Sequence, residues 1–212
     1  MLPAAMKLLR KLRRLFAPDL NRFLRYARGV VHVGANVGQE RELYRRRGLD
    51  VLWIEPIPDV YAELCRNIEG FPQQRALESL VTDRDDVEYE FHVANNRGES
   101  SSILELKEHK TVWPKIAFTT TLKLRSVTLP TLLAREGVDA AAYDALVMDT
   151  QGSELLVLRG AEKLLAGFKF IKTEVPDFEA YAGCAQLDEL GAYLAGHGFR
   201  EIARNRFATH PG

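Results

Sequence analysis

The sequence feature that most constrains the fold is VVHVGANVGQE at residues 30–40, a mostly apolar run that meets two glycines and then turns polar. Residues 30–33 fit a strand with both faces buried, which is typical of parallel sheets between two layers of helices. Gly34 and Gly38 bracket the turn that follows, and a helix is expected after it, as far as Gly48. A strand, a glycine turn and a helix in this order predict an α/β domain.

The alternation of strand and helix patterns continues along the chain and predicts a mostly parallel sheet. Residues 87–93 differ, because every second residue is apolar there, as in a half-buried strand. We interpret this segment as an antiparallel excursion that ends in the polar loop NNRGESSS, whereas residues 103–126 have too weak a pattern to assign. Further strands are predicted at 51–55, 75–82, 143–149, 168–175 and 199–207, and further helices at 59–68, 128–138, 153–165 and 186–198.

Composition limits the domain organisation and the classes of partner. The 212 residues have room for one domain, and we divide the chain into an N-terminal segment, 1–27, and a main domain, 28–212. Lysine plus arginine equals aspartate plus glutamate, and the zero net charge disfavours nucleic-acid binding. Cys65 and Cys184 form no CxxC pair, and no signal sequence or membrane span is evident, which predicts a cytoplasmic setting.

The N-terminal segment contains KLLRKLRRLF at residues 7–16, in which leucines alternate with basic residues at helical spacing. A basic amphipathic helix of this kind can lie on an anionic membrane surface, which predicts peripheral contact with the inner face of a membrane. The alternative is a helix that packs its leucines on the domain or on a partner and leaves its charges in water.

Polar residues follow the predicted strands at the end where parallel sheets bind ligands. The residues at these strand ends are Gly34, Glu55, Asp149 and Glu174. Glu55 lies 21 residues after Gly34, close to the roughly 20 expected between a glycine turn and a carboxylate that holds ribose hydroxyls. Asn36 stands where the dinucleotide fingerprint GxGxxG has its second glycine, so a nucleoside cofactor without a pyrophosphate is favoured over NAD.

Together these segments resemble the FkbM-type S-adenosylmethionine-dependent methyltransferases. The resemblance rests on VVHVGANVGQE, WIEPIPDVYAELCRNI, ALVMDTQGSELLVLRGAEKLLAGFKFIKTEV and YAGCAQLDELGAYLAGHGF, and it covers about residues 28–200. It implies a Rossmann-like methyltransferase fold with helices on both faces of the sheet, and S-adenosyl-L-methionine as cofactor. It also implies methyl transfer to a hydroxyl of a sugar or other natural product. Such folds end in an antiparallel seventh strand, and too few residues follow Phe207 to complete one.

The resemblance also implies roles for individual residues. Glu55 matches the acid that holds the ribose hydroxyls, and Asp149 matches the acid at the end of the fourth strand. Met148 and Pro130 depart from the family pattern, which often has lysine and aspartate at these two positions. The residues placed against the cofactor in this way are Gly34, Ala35, Asn36, Gly38, Glu55, Pro56, Ala76, Leu77 and Asp149.

The catalytic candidates are Asp149 and Glu154. Methyl transfer from a sulfonium needs an aligned acceptor and excluded water, and a base that removes a proton can assist it. Asp149 is a candidate for this base, or for a ligand of the cofactor's amino group. Glu154 is either a second base or a carboxylate that stabilises the start of the helix that it begins.

Three residues are candidates for the substrate side, and each has a structural alternative. Ser101 lies in the polar loop and could contact the acceptor, or belong to an ordinary solvated loop. Glu174 could line the substrate cleft, or pair with one of the lysines of its own strand. His32 lies inside the first strand, where a histidine is often a core residue.

Three functions are therefore open at this stage. The first is a methyltransferase that transfers a methyl group to a small-molecule or glycan hydroxyl. The second is an NAD(P)-dependent oxidoreductase, and the third is a non-catalytic module recruited to membranes by residues 7–16. No metal site is predicted, because no cluster of His, Cys and acidic residues has ligand spacing.

Overall fold

The structure is a computed structural model that describes residues 19–206. Its strands are β1 (Gly29–Val33), β2 (Asp50–Glu55), β3 (Gln74–Glu78), β4 (Leu80–Val81), β5 (Glu88–Ala94), β6 (Phe118–Val127), β7 (Ala145–Met148) and β8 (Phe170–Thr173). Its α-helices are α1 (Arg41–Arg46), α2 (Pro58–Ile68), α3 (His109–Val112), α4 (Leu129–Arg135), α5 (Glu154–Gly160), α6 (Glu162–Leu165) and α7 (Leu187–Gly196). Short 3₁₀ helices lie at Arg22–Arg25 and Ala140–Ala142.

A parallel sheet of five strands, in the order β3-β2-β1-β7-β8, forms the centre of the fold. His32 in β1 lies between Trp53 in β2 and Val147 in β7. Because all five strands run in the same direction, their carboxyl ends meet at one edge of the sheet. The predicted α/β class with a mostly parallel sheet is confirmed.

Helices cover both faces of this sheet, and each face has its own apolar core. On one face Val30, Val51 and Trp53 pack with apolar residues of α1 and α2. On the other face Val31 and Leu52 pack with apolar residues of α4, α5, α6 and α7. Burial on both faces explains why these strands are apolar at nearly every position. The predicted Rossmann-like arrangement, with helices on both faces, is confirmed.

A second, smaller sheet has the strand order β4-β6-β5. β5 and β6 are antiparallel, which confirms the predicted excursion, and β6 occupies part of the region that had no assignment. On its inner face Phe91 packs with Ile57 and Leu80. On its outer face charges of opposite sign face each other across the strands, as Glu90 and Lys123 do. The sheet is therefore amphipathic, with its apolar face toward the rest of the chain.

Two predicted elements are interrupted where the chain approaches another segment closely. The strand expected at 75–82 divides at Ser79, where the chain leaves the central sheet and joins the smaller one. The helix expected at 153–165 divides after Gly160, where an added Cβ would lie 2.1 Å from the carbonyl oxygen of Thr82. Both interruptions arise from tertiary contacts, which local periodicity does not encode.

The predicted sixth strand, 199–207, is wrong over its described part. Residues 199–206 pair with no strand, and residues 201–206 are exposed. Arg204 pairs instead with Glu201, and Arg206 with Asp177, so the charged residues of this segment stay in water. Ile202 is 72% exposed, so burial of apolar side chains does not hold this segment on the sheet edge.

The N-terminal segment is described only from residue 19, and the amphipathic helix predicted at 7–16 lies outside the described residues. Phe23 and Leu24 are buried, and the Phe23 ring centroid lies 5.6 Å from that of Phe170 in β8. The described part of this segment therefore packs on the main domain. Within residues 19–206, no helix is long and apolar enough to cross a membrane.

Candidate functional site

The carboxyl ends of β1, β2, β7 and β8 border one cavity of about 1660 Å³. Its walls include the strand-end residues that the sequence indicated, Gly34, Glu55, Asp149 and Glu174. Sites for one small molecule typically measure about 300–1000 Å³. The cavity therefore has room for a cofactor together with a second ligand.

The two glycines of the first turn have different tasks. Gly34 has φ +78°, and an added Cβ would lie 2.0 Å from the carbonyl oxygen of Asp149, so only glycine allows β1 and β7 to end side by side. Gly38 does not border the cavity. An added Cβ there would lie 2.7 Å from Cδ1 of Leu64 in α2. Gly38 thus packs against α2, whereas Gly34 and Ala35 border the cavity, and the cofactor role of Gly38 stays a prediction.

Glu55 is fixed by backbone donors on both of its carboxylate oxygens. The amide of Asn36 donates to Oε2 at 2.8 Å, and the amide of Ile57 donates to Oε1 at 3.0 Å. Burial raises the pKa of Glu55 to about 7, and the two amides oppose this shift. The carboxylate is thus held rigidly at the cavity wall, next to Pro56, which also borders the cavity.

Asn36 joins the first turn to the polar loop 95–102, which we call the covering loop. It has φ +45°, and its Nδ2 donates to the carbonyl oxygen of Arg97 at 3.2 Å. A non-glycine residue in this conformation is uncommon outside turns and functional sites. In the covering loop, the Ser101 hydroxyl accepts a hydrogen bond from the amide of Ala94 at 2.9 Å. Ser101 borders the cavity, and this hydrogen bond attaches the covering loop to the end of β5.

Asp149 belongs to a chain of polar side chains. Nε2 of Gln151 donates to Oδ1 of Asp149 at 2.5 Å, and the Tyr181 hydroxyl donates to Oε1 of Gln151 at 2.7 Å. Burial and the neighbouring Glu174 raise the pKa of Asp149 to about 8. Gln151 thus contacts Oδ1 of Asp149 and links this carboxyl to Tyr181.

Glu154 closes the turn in front of α5. The amide of Thr150 donates to its Oε1 at 2.9 Å, and the amide of Gly152 donates to its Oε2 at 3.0 Å. Its side chain is buried, and burial raises its pKa. Both carboxylate oxygens of Glu154 accept from the backbone. Glu154 therefore fits the role of a carboxylate that stabilises the start of α5 better than the role of a second base.

His32 and Glu174 lie in different surroundings. His32 is 5% exposed, its Nδ1 lies 3.2 Å from the Tyr44 hydroxyl, and its ring stacks on Trp53 with centroids 4.9 Å apart. Burial lowers the pKa of His32 to about 3, with a further contribution from Lys172. It therefore fits the core alternative, although it borders the cavity. Glu174 also borders the cavity, and the pKa of its carboxyl is raised by burial.

The lysines proposed as partners of Glu174 have other partners. Lys169 pairs with the buried Asp144 at 3.1 Å, and Lys172 donates to Oδ1 of Asn21 at 3.1 Å. No ion pair of Glu174 occurs within residues 19–206. Its side chain is thus available to the cavity rather than held in an ion pair by a lysine of its own strand.

Ala76 and Leu77, which were predicted to lie beside the adenine, are set back from the cavity. Neither residue borders the cavity, because both lie inside β3 and pack in the apolar cores of opposite faces of the sheet. The wall next to Glu55 is formed by the residues that follow, Ser79, Leu80 and Val81. The cavity wall thus begins where the predicted strand divides, at Ser79, and the adenine contact of Ala76 and Leu77 stays a prediction.

With this geometry established, comparison with protein families matches residues 32–201 to the methyltransferase FkbM domain. The chain belongs to the FkbM methyltransferase family. No curated protein matches the sequence significantly. A solved structure with some likeness to the FkbM domain is the TehB-like SAM-dependent methyltransferase from Corynebacterium glutamicum, with 13% identity and a TM-score of 0.31. The likeness covers 77% of this chain and 62% of that protein, and at this TM-score we draw no conclusion from it.

The FkbM domain also brings residues to its cavity that the sequence did not single out. Gln151 lies in the turn TQGS with φ +54°, and Tyr181 and Trp113 come from distant segments of the chain. The indication in the sequence was the place of Gln151 in this turn, two residues after the predicted strand end at Asp149. Within residues 19–206, no group of three or more His, Cys, Asp and Glu side chains could hold a metal ion.

Proposed function

We propose that the chain is an S-adenosyl-L-methionine-dependent O-methyltransferase that acts on a hydroxyl of a carbohydrate or other natural product. The observation that supports this most is the rigid Glu55 carboxylate beside the first turn, in a cavity large enough for two ligands. Membership of the FkbM family supports methyl transfer, and the cofactor and the hydroxyl acceptor are our extension of it.

The residues at the first turn fit this cofactor. A carboxylate has about four lone-pair positions, so Glu55 can still accept hydrogen bonds from ribose hydroxyls after accepting two amides. The turn does not form a dinucleotide fingerprint, since the Asn36 side chain fills the position of the second glycine and binds Arg97. A nucleoside with no pyrophosphate agrees with both features.

The acidic residues at the strand ends fit a cationic ligand. Glu40 and Glu174 act electrostatically on Asp149 and help to raise its pKa, so the site is rich in negative potential. When bound, the cofactor would supply a methyl group activated by a positively charged sulfur. Positive charge beside these carboxylates favours their ionised forms and lowers their pKa values.

Positioning and water exclusion are the main contributions of the chain to the proposed reaction. The covering loop is tied to the first turn through Asn36 and to the turn after β7 through Ser102, whose hydroxyl donates to the carbonyl oxygen of Gln151 at 2.7 Å. Asp149, with Oδ1 engaged by Gln151, has Oδ2 left to orient an acceptor hydroxyl and to accept its proton.

Calorimetry with S-adenosylhomocysteine tests the cofactor assignment. We expect the wild type to bind it and Glu55→Ala to lose binding. Glu78→Ala is the matched control, because Glu78 lies beside Glu55 in β3 but is exposed and does not border the large cavity. No binding by wild type, or unchanged binding by Glu55→Ala, would refute the assignment. A thermal shift with NAD but none with S-adenosylhomocysteine would favour the oxidoreductase alternative.

A further inference from the structure

Gln151, in the turn after β7, has a backbone conformation that glutamine rarely adopts. Its φ is +54°, in the left-handed region that favours glycine. The turn is also packed closely, since an added Cβ on Gly152 would lie 3.1 Å from the Cβ atoms of Tyr181 and Cys184. Residues in such conformations persist where their surroundings hold them, and they cluster at functional positions. A glycine would adopt this backbone more easily, so the glutamine points to a task for its side chain.

The Gln151 side chain is held at both of its polar atoms. Its Nε2 donates to Oδ1 of Asp149 at 2.5 Å, and its Oε1 lies 2.7 Å from the Tyr181 hydroxyl. This hydroxyl also lies 3.2 Å from the carbonyl oxygen of Ser100 in the covering loop. The backbone carbonyl oxygen of Gln151 accepts a hydrogen bond from the Ser102 hydroxyl at 2.7 Å. Gln151 thus joins Asp149 to the covering loop by two routes, one through Tyr181 and one through Ser102.

The surroundings of Asp149 make the contact with Gln151 important for its charge. Within residues 19–206, Gln151 is the only group that forms a hydrogen bond with the Asp149 carboxyl. Tyr181 stays neutral, because burial raises the pKa of its hydroxyl. The charged groups that face Asp149 from neighbouring elements are all acidic and disfavour its ionised form: Glu40 before α1, Glu154 at the start of α5 and Glu174 after β8. The amide donor of Gln151 opposes them, because it favours the carboxylate.

We propose that Gln151 is a positioning residue, which holds the Asp149 carboxyl in place and couples that place to the covering loop. While the loop lies on the cavity, Tyr181 and Ser102 hold Gln151, and Gln151 holds Asp149. Opening of the loop would break the Ser102 contact and release part of this support. Asp149 is thus oriented for an acceptor only while the loop excludes water. The inference rests on the proposed function, because it concerns the acid that would orient the acceptor in that reaction.

The pH dependence of stability tests the contact with Asp149. Gln151→Gly removes the side chain and suits the backbone, and urea denaturation compares it with wild type between about pH 6 and pH 10, each with and without Asp149→Asn. In wild type, the effect of Asp149→Asn should stop growing near pH 8, the pKa of Asp149. With Gln151→Gly this pH should rise by roughly 0.5–1 pH unit, because the carboxylate has lost its donor. A merely structural role would lower stability equally at every pH. An unchanged or lower limiting pH would therefore overturn the proposal.

A second variant and a control accompany this measurement. Gln151→Asn should raise the same limiting pH, because asparagine tolerates the left-handed conformation and its amide ends one methylene short of Asp149 and Tyr181. Asp86→Gly is the control, since Asp86 has φ +60°, is exposed and does not border the large cavity. It relieves the same kind of backbone strain and should leave the limiting pH unchanged.

Amide hydrogen exchange of residues 95–102, measured by mass spectrometry, tests the coupling to the covering loop. Gln151→Gly and Tyr181→Phe should each speed this exchange by roughly two- to tenfold, because each removes one hydrogen-bonding group between the loop and Asp149. Tyr193→Phe is the control, since its hydroxyl lies 3.4 Å from the carbonyl oxygen of Leu158 and does not contact the loop. Exchange that stays unchanged in both test variants would overturn the coupling.

Binding of S-adenosylhomocysteine separates this proposal from the proposed function, because neither of the two measurements needs a ligand. A wild type that binds S-adenosylhomocysteine, with an unchanged limiting pH in the Gln151 variants, contradicts only the role of Gln151. A wild type that does not bind S-adenosylhomocysteine contradicts the proposed function itself.

Discussion

Replacing Asp149 by asparagine is expected to stabilise the folded chain, and increasingly so as the pH rises. The pKa of Asp149 is raised from 3.8 to about 8, first by burial and then by Glu174. Between these two values the folded chain keeps a proton that the unfolded chain has lost. The contribution of Asp149 to stability is therefore fully present below its unfolded pKa and falls as the pH rises toward 8.

The size of the effect follows from the shift. Each pH unit inside this window lowers the free energy of unfolding by about 1.4 kcal/mol, and the curve flattens as the pH approaches 8. Integrated from pH 6 to pH 8, the wild type loses about 2 kcal/mol through this carboxyl. Asp149→Asn has no titrating proton at this position, and its oxygen can still accept the hydrogen bond from Gln151.

Urea denaturation at pH 6 and pH 8 measures the difference. The stability advantage of Asp149→Asn over wild type should grow by about 2 kcal/mol between the two values. Asp59→Asn is the control, since Asp59 is exposed in the first turn of α2, and its difference from wild type should stay constant. If wild type and Asp149→Asn lose stability in parallel over this range, the reasoning about this carboxyl is refuted.

Three further outcomes are expected. Gly38→Ala should lower the free energy of unfolding by about 1–3 kcal/mol in urea, because its Cβ would lie 2.7 Å from Leu64 Cδ1 at φ +72°; wild-type stability would contradict the packing role. Gly191→Ala, inside α7 with open space around the added Cβ, should raise stability by about 0.5–1 kcal/mol, and a decrease would be inconsistent with the helix. Binding of S-adenosylmethionine at pH 7 should release about one proton from Glu55 and Asp149, and binding of S-adenosylhomocysteine, which lacks the sulfonium charge, should release fewer. Calorimetry in buffers of different ionisation enthalpy measures this proton release. If S-adenosylmethionine binds with the same enthalpy in all of these buffers, no proton is released and the prediction is wrong.

The sequence was sufficient to bring four strand-end residues to one cavity because their placement follows from one rule. Parallel strands end at one edge, so residues at the ends of apolar runs meet there. Gly34, Glu55, Asp149 and Glu174 all border the cavity as this rule requires. The roles of these residues in binding and catalysis stay predictions until the ligand experiments are done.

Other features of the site have physical causes that a single sequence does not reveal. A glycine that allows helix packing cannot be distinguished by sequence from one that allows a ligand to approach, so the different surroundings of Gly34 and Gly38 appear only in the fold. Residues 75–82 have the pattern of one strand although the chain changes sheets inside them, so the sequence does not show that the cavity wall begins at Ser79. Tyr181 is joined to Gln151 across 30 positions of sequence, and no periodicity indicates such a contact.

The pairing of β4 with the end of β6 has a consequence for how such enzymes can diversify. Leu80 lies beside Ser126 and Val81 beside Val127, so the chain leaves the central domain and returns to it at neighbouring points. The segment between these points contains the covering loop, His109 and Trp113. Because its ends lie close together, replacing or lengthening it should change the stability of the parallel sheet little. A transplant of this one segment between relatives would therefore exchange the covering loop as a unit and leave the first turn of the recipient, with Gly34 and Asn36, in place.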